Sequence, residues 1–253
     1  MERNEHAFTI KRKFRFLLGI LGAICVLGVL GIGIYLNDYY RAEEIAFYCI
    51  ENPAEGITVT ERDNLLIFAP KEPVQGIIFY PGGKVEAESY APLMESLARQ
   101  GTLCILIKMP GNLAVLDSDA AKGLQADFPE IQSWYMAGHS LGGSMAASYI
   151  GSTEEKFEGL ILLAAYSTAD LSETDIEVLS VYGENDGVLN MENYQENKAK
   201  LPSDYTEVII DGGCHAYFGA YGKQEGDGMP EITMEEQIRI TTEVIEKFMQ
   251  SIG

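Results

Sequence analysis

The sequence predicts an α/β fold, a doubly wound and mostly parallel sheet that follows a single N-terminal transmembrane helix. Three observations predict this fold class. From residue 57 onwards, short apolar runs alternate with helical stretches, as in a parallel sheet covered by helices on both faces. Most of these runs stop at glycine-rich turns. An uncharged run of 21 residues, 16–36, precedes them all.

The uncharged run is long enough to cross a bilayer, because a helix of that length spans about 30 Å. Basic residues precede it and acidic residues follow it, and an excess of Lys and Arg marks the cytoplasmic side. We therefore expect a single-pass protein of the cell membrane, with its N-terminus inside and its main domain outside. Its predicted parts are a basic N-terminus at 1–15, a signal-anchor at 16–36, a linker at 37–56 and a domain at 57–253.

Two other interpretations of the N-terminal run stay open. A cleaved signal peptide has a shorter apolar core and a small-x-small cleavage site, and residues 36–40 offer no such site. A buried helix of a soluble domain is the remaining alternative.

The first elements of the main domain follow from its apolar pattern. Residues 39–51 fit a short helix or a linker, and strand-like runs at 57–60 and 65–68, separated by four polar residues, predict a hairpin. The runs 76–80 and 103–107 are continuously apolar, as in strands buried on both faces. A helical stretch, 87–100, connects them and ends at a glycine.

The rest of the domain continues the alternation, with most elements ended by glycine or proline. Strands are predicted at 134–137, 160–164, 178–182 and 207–210, and helices at 113–128, 141–150, 191–200 and 233–249. Ligand sites in such sheets lie beyond the carboxyl ends of the strands.

Charge excludes one class of function. Residues 1–36 carry a net charge of +3, so the remainder must carry −23 to give the overall net charge of −20. A domain that acidic is repelled by phosphate backbones, and we expect no nucleic-acid partner. Three cysteines outside the membrane run, Cys49, Cys104 and Cys214, indicate no disulfide framework.

The pentapeptide Gly138-His139-Ser140-Leu141-Gly142 is the strongest chemical signal in the chain. An apolar run leads into it and small residues follow, which predicts a strand, a sharp turn and a helix. In that turn the serine is held in a strained conformation that exposes its hydroxyl at the top of the sheet. Ser140 is thus the candidate nucleophile.

A serine hydroxyl needs a base, which is normally a histidine. The chain has three histidines. His6 precedes the predicted anchor, and His139 is too constrained to reach back to the hydroxyl of its neighbour. His215, directly after the last predicted strand, is therefore the candidate base.

The imidazole in turn needs a carboxylate to hold its tautomer. Asp186 follows the strand 178–182 and gives the order Ser, Asp, His that suits this architecture. Glu184 and Asp211 are the alternatives.

The negatively charged oxygen of the tetrahedral intermediate needs backbone donors. We expect the N–H groups of Leu141 and of Gly83 to stabilise it, with the N–H of Lys84 as the neighbouring option. A plain turn at Pro81-Gly82 is the other interpretation.

Residues 57–250 resemble the α/β-hydrolase superfamily, in its small dienelactone-hydrolase-like branch. The resemblance is carried by residues 80–85, 138–143, 183–186 and 212–228. Dienelactone hydrolases use a cysteine nucleophile, whereas this chain has Ser140, so the resemblance supports acyl transfer but not a dienelactone substrate.

These observations together predict a membrane-anchored serine hydrolase, with an ester, thioester or activated amide of a small molecule as its acyl substrate. We expect no metal and no cofactor. Only about 12 residues separate the strands 160–164 and 178–182, too few for a lid helix, so an open site is expected. The loop 216–229 carries aromatic residues that either line the pocket or pack the loop down. A catalytically inactive binding module at the membrane is the alternative function.

Overall fold

The computed structural model describes residues 20–28, 30, 31, 33, 35 and 37–252. It divides into two units, Met1–Asp38 and Tyr39–Gly253. Residues 20–28 of the first unit are helical. Among the described residues, no helix combines the length and the apolar character needed to cross a bilayer. The predicted N-terminus 1–15, and residues 16–19, 29, 32, 34 and 36 of the predicted anchor, lie outside the described residues.

The second unit is built on one eight-stranded sheet whose order is β1-β2-β4-β3-β5-β6-β7-β8. The strands are β1 (Thr58–Arg62), β2 (Leu65–Ala69), β3 (Gln75–Tyr80), β4 (Thr102–Ile107), β5 (Ser133–His139), β6 (Gly159–Leu163), β7 (Glu177–Gly183) and β8 (Thr206–Ile210). β1 and β2 are antiparallel, and β2 joins β4 antiparallel. All pairs among β3 to β8 are parallel. The predicted hairpin and mostly parallel sheet are confirmed.

The central strands are apolar throughout because both faces of the sheet are covered. In β3, Ile77 and Phe79 enter the core on one face, whereas Ile78 and Tyr80 enter the core on the other. Successive side chains of a strand point to opposite faces, so a strand buried on both sides needs apolar residues at every position. This is the physical basis of the runs from which the sheet was predicted.

Five α-helices accompany the sheet in the described residues of the second unit. They are α1 (Glu44–Glu51), α2 (Ala91–Arg99), α3 (Leu141–Ile150), α4 (Met191–Asn197) and α5 (Met234–Ile252). α2 and α5 bury Leu97 and Ile245 in one core, and α3 buries Ala146 and Ala147 in the other. The sheet is therefore wound on both faces, as predicted.

One predicted helix is wrong. Residues 113–128 form two short 3₁₀ turns, Ala114–Leu116 and Leu124–Asp127, instead of a helix. Gly123 has a φ of 82°, in the left-handed region, which interrupts the helical backbone. The polar residues 117–119 also favour local turns over helix.

The segment assigned to a linker is part of the second compact unit from Tyr39 onwards. Tyr40 forms a bridge with Val85, and the backbone N–H of Glu43 donates to the carbonyl of Ala220 at 2.8 Å. Ala46 of α1 is fully buried. Apolar side chains in this stretch thus extend the core beyond the boundary at residue 57.

Candidate active site

Ser140 occupies a one-residue turn between β5, which ends at His139, and α3, which begins at Leu141. Its φ is 52° and its ψ is −123°, a strained conformation for a residue with a side chain. Strand and helix approach closely here, because a Cβ at Gly138 would lie 2.6 Å from the backbone of Gly142. The pentapeptide therefore forms the sharp turn that its sequence predicts.

Ser140 and His215 line one open cavity of about 240 Å³. The remaining walls are mainly apolar and carry no charged side chain: Leu141, Ser144, Ala164, Ala165, Tyr166, Val188, Leu189 and Asn190. A larger cavity, of about 490 Å³, is lined by Asp119, Lys122 and Tyr149 among others and includes neither Ser140 nor His215. The smaller cavity is thus the one that Ser140 and His215 share.

His215 is held by Asp186. Nδ1 of His215 donates to Oδ2 of Asp186 at 2.8 Å, and each side chain is only 1% exposed. Oδ1 of Asp186 accepts the N–H groups of Val188 and Leu189 at 2.9 and 2.8 Å. With the proton on Nδ1, Nε2 of His215 is left as an acceptor, and this buried atom has no hydrogen-bond partner among the described residues.

The two alternative carboxylates do not contact the imidazole. Oε2 of Glu184 accepts the N–H of Gly212 at 3.1 Å. Asp211 is exposed at the end of β8. Of the three acids considered from the sequence, Asp186 is the one that the fold brings to His215.

Some of the backbone N–H groups near Ser140 already donate a hydrogen bond, and others do not. The N–H of Gly82 donates to the hydroxyl of Tyr90, and that of Lys84 donates to the carbonyl of Asn112. The N–H of Gly83 has no acceptor in the part of the chain that the structure describes. Leu141 is the first residue of α3, where a helix leaves its N–H groups unpaired. Gly83 and Leu141 are neighbours, since a Cβ at Gly83 would lie 2.8 Å from Cδ2 of Leu141.

Sequence reasoning missed Asp227. Its Oδ1 accepts the N–H groups of Gly187 and His215, each at 3.1 Å, and its Oδ2 accepts that of Ala216 at 2.9 Å. One carboxylate therefore ties the loop of Asp186 to the loop of His215. No periodicity marks this residue; its only signal was its place within the segment 212–228 that carries the family resemblance.

His139, set aside as a base from the sequence, is fully buried beneath the site. Its Nδ1 lies 2.8 Å from the hydroxyl of Tyr90, and its Nε2 lies 3.1 Å from the carbonyl oxygen of His215. Burial, aided by the proximity of His215, lowers the pKa of His139 well below its ordinary value of 6.5. His139 is therefore neutral near pH 7.

The aromatic residues of the loop 216–229 pack the loop down. Phe218 is fully buried and Tyr221 is 5% exposed, and both belong to the core. Neither lines the cavity of Ser140. The segment between β6 and β7, 164–176, contains no helix, so the cavity has no helical lid from that segment.

Within the described ranges, no group of three or more His, Cys, Asp or Glu side chains is arranged to hold a metal ion. The four cysteines are unpaired; Cys49, Cys104 and Cys214 are buried and Cys25 is exposed.

Comparison with known proteins shows one matching family and several solved structures of similar fold. A model described as "Alpha/beta hydrolase family" matches residues 76–239. Similar solved structures include an esterase domain from Rhodothermus marinus (TM-score 0.59, 14% identity, 78% of this chain and 99% of that chain). Est1E from Butyrivibrio proteoclasticus is similar with a TM-score of 0.52 (17% identity, 78% and 98%). A dienelactone hydrolase from Anabaena variabilis ATCC 29413 has a TM-score of 0.55 (13%, 76% and 99%). No curated protein sequence matches the chain significantly.

Proposed function

The chain belongs to the alpha/beta hydrolase family, and from that premise we propose that it is a serine hydrolase that cleaves carboxylic esters, with thioesters and activated amides as related substrates. The observation that carries the proposal is the state of His215. Its Nδ1 is held by Asp186, its buried Nε2 has no hydrogen-bond partner among the described residues, and the residue lines the same cavity as Ser140. An unpaired acceptor beside a serine is what a general base requires.

In the first step, Oγ of Ser140 attacks the carbonyl carbon and its proton passes to Nε2 of His215. The N–H groups of Gly83 and Leu141 stabilise the negative charge on the carbonyl oxygen. The bond from the carbonyl carbon to the leaving group then breaks, and His215 returns the proton to that group. The product of this step is an acyl-enzyme on Ser140.

In the second step, water attacks the acyl carbon and gives a proton to Nε2 of His215. The bond between the acyl carbon and Ser140 breaks, the serine regains its proton and the acid leaves. Asp186 stabilises the imidazolium that forms in each step. Ser140, His215 and the attacking water account for all of these proton transfers.

The cavity supports small or exposed acyl substrates. Its walls carry no charged side chain, and at about 240 Å³ it is small for a ligand site. The segment 164–176 adds no lid helix. Uncharged, short acyl groups therefore fit this cavity best.

The membrane tether is also part of the proposal. It is supported by the 21-residue uncharged run at 16–36, with basic residues before it and acidic residues after it. The acidic domain would then lie outside the cell, in contact with the bilayer only through the N-terminal helix. A catalytically inactive scaffold at the membrane is the competing function.

Labelling with a fluorophosphonate probe tests the proposal, because the probe reacts only with an activated serine. We expect the full-length chain to be labelled and Ser140→Ala to be unlabelled while still folded. Ser144→Ala is the matched control: Ser144 lines the same cavity, but its hydroxyl donates to the carbonyl of Tyr166 at 2.8 Å. Wild-type protein that is folded and unlabelled would support the scaffold instead. A membrane-impermeant probe on intact and lysed cells tests the orientation.

A further inference from the structure

Three hydrogen bonds run in series beneath the cavity. The N–H of Gly82 donates to the hydroxyl of Tyr90 at 2.9 Å. That hydroxyl lies 2.8 Å from Nδ1 of His139, and Nε2 of His139 lies 3.1 Å from the carbonyl oxygen of His215. Tyr90 and His139 are each 0% exposed, and His215 is 1% exposed. The series therefore begins in the loop after β3 and ends in the loop after β8, entirely out of contact with water.

The direction of each bond follows from the groups involved. The single proton of the Tyr90 hydroxyl is free to donate to Nδ1 of His139, because the hydroxyl accepts from Gly82. A neutral imidazole that accepts at Nδ1 carries its proton on Nε2, which then donates to the carbonyl of His215. Burial lowers the pKa of His139 and keeps this neutral form. Each donor and acceptor in the series thus has a hydrogen-bond partner, and none of these groups carries a charge.

The series connects three parts of the site. Gly82 is bonded to Gly83, His139 is bonded to Ser140, and the carbonyl at the far end belongs to His215. We infer that Tyr90 and His139 are positioning residues that hold the oxyanion loop and the loop of the base in register with the nucleophile. This inference rests on the function proposed above.

Aromatic rings pack against the series, and the backbone of Gly82 approaches it closely. The ring of Tyr90 lies 5.0 Å from that of Phe79, and the ring of His139 lies 5.5 Å from that of Phe218. A Cβ at Gly82 would lie 2.8 Å from both Nδ1 of His139 and the hydroxyl of Tyr90, so only glycine leaves room for the bonds. Hydrogen bonds in such dry surroundings are strong, and breaking one leaves polar atoms buried and unpaired.

Tyr90→Phe breaks the series at its centre and leaves the ring in place. We expect kcat for a p-nitrophenyl ester to fall roughly tenfold to a hundredfold, as small misplacements of catalytic groups do, while KM changes less than about twofold. The split between kcat and KM distinguishes positioning from a general loss of folded protein.

Tyr80→Phe is the matched control. Tyr80 is equally buried, and its hydroxyl likewise donates once, to the carbonyl of Ser118 at 2.8 Å, and accepts once, from the N–H of Ala121 at 2.9 Å. That hydroxyl lies in the other core. We expect Tyr80→Phe to lose a similar amount of stability and to keep its kcat within about twofold.

The outcomes separate the two proposals. Folded wild-type protein without hydrolase activity overturns the proposed function itself. Active wild-type protein with equal kcat for Tyr90→Phe and Tyr80→Phe overturns the positioning role alone. A measurement on the wild type covers the case in which Tyr90→Phe fails to fold: long-range ¹H–¹⁵N spectra should show His139 protonated at Nε2, and protonation at Nδ1 would contradict the series.

Discussion

Oδ2 of Asp186 lies 2.8 Å from Nδ1 of His215, and the two side chains are each 1% exposed. The other carboxylate oxygen is occupied by two backbone N–H groups. Asp186 is therefore a charged acceptor whose orientation is set by its own loop. A carboxylate held in this way fixes the tautomer of the imidazole and leaves Nε2 free to accept a proton.

Asp186→Asn tests that role. An amide that presents its N–H₂ group to Nδ1 favours the wrong tautomer, so we expect kcat to fall by roughly 10³- to 10⁴-fold with the fold retained. Steady-state kinetics and circular dichroism check this result. Glu184→Gln is the control, since Glu184 lies two residues away and accepts the N–H of Gly212 instead. A larger loss of kcat in Glu184→Gln than in Asp186→Asn would reassign the acid.

Asp227→Asn should impair both stability and turnover. Its carboxylate accepts N–H groups from the loops of Asp186 and His215. The substitution removes the charge that strengthens these bonds, and we expect a loss of about 2 kcal/mol in the free energy of unfolding together with a lower kcat. Urea denaturation and ester kinetics measure the two effects. Asp211→Asn, an exposed acid on the same loop, should match the wild type in both; an unchanged kcat in Asp227→Asn would remove Asp227 from the positioning of His215.

Cys214 should be inert even though it adjoins His215. Its side chain is 1% exposed, and burial, reinforced by the negative charge of Asp227, raises the pKa of its thiol to about 12. Thiolate is the reactive form, so we expect iodoacetamide at pH 8 to leave the esterase activity of folded protein unchanged. Mass spectrometry should find Cys214 unmodified until the protein is denatured. Alkylation of Cys214 in the folded protein would contradict the predicted inertness of this thiol.

His139 should make stability depend on pH. Its ring faces Tyr90, Phe218 and His215, and its pKa in the folded state is well below 6.5. Below pH 6.5 the unfolded chain therefore binds a proton at this residue that the folded chain refuses. The free energy of unfolding should fall as the pH falls, by up to about 1.4 kcal/mol per pH unit from this residue.

Urea denaturation at pH 5 and pH 7 measures this dependence. His139→Asn, although less stable at pH 7, should show a smaller difference between the two pH values. An equal or larger difference in the variant would mean that other groups cause the pH dependence.

Much of the fold could be predicted from local pattern. Strands β3, β4 and β6 are continuous apolar runs because the sheet is covered on both faces. A Pro-Gly pair follows β3 and another follows β4. The helix predicted at 113–128 was wrong. Its irregularly spaced apolar residues suggested a helix, but Gly123 takes a left-handed conformation that interrupts the helical backbone. The resemblance to the α/β-hydrolase superfamily is confirmed by the family match.

Some residues of the candidate site could be recognised from the sequence, whereas others needed the structure. Ser140 was recognisable because its pentapeptide is contiguous, and His215 because two other histidines could be set aside. By contrast, Asp186 was the candidate acid with Glu184 and Asp211 as alternatives, and the choice among the three depends on which loop reaches the imidazole. The membrane segment at 16–36 stays a prediction.

Local pattern in the chain was enough to predict the order of the strands, most of the helices, the sharp turn at Ser140 and the candidate base His215. These features depend on neighbours in the chain, whose spacing can be read directly. Tertiary contacts were needed to show that Asp186 holds His215 and that, within the described residues, Gly83 rather than Lys84 has an unused N–H. They also show how Asp227, Tyr90 and His139 connect the loops. Those contacts join residues 8 to 76 positions apart, and most of them form because parallel strands bring the ends of separate loops to one edge of the sheet.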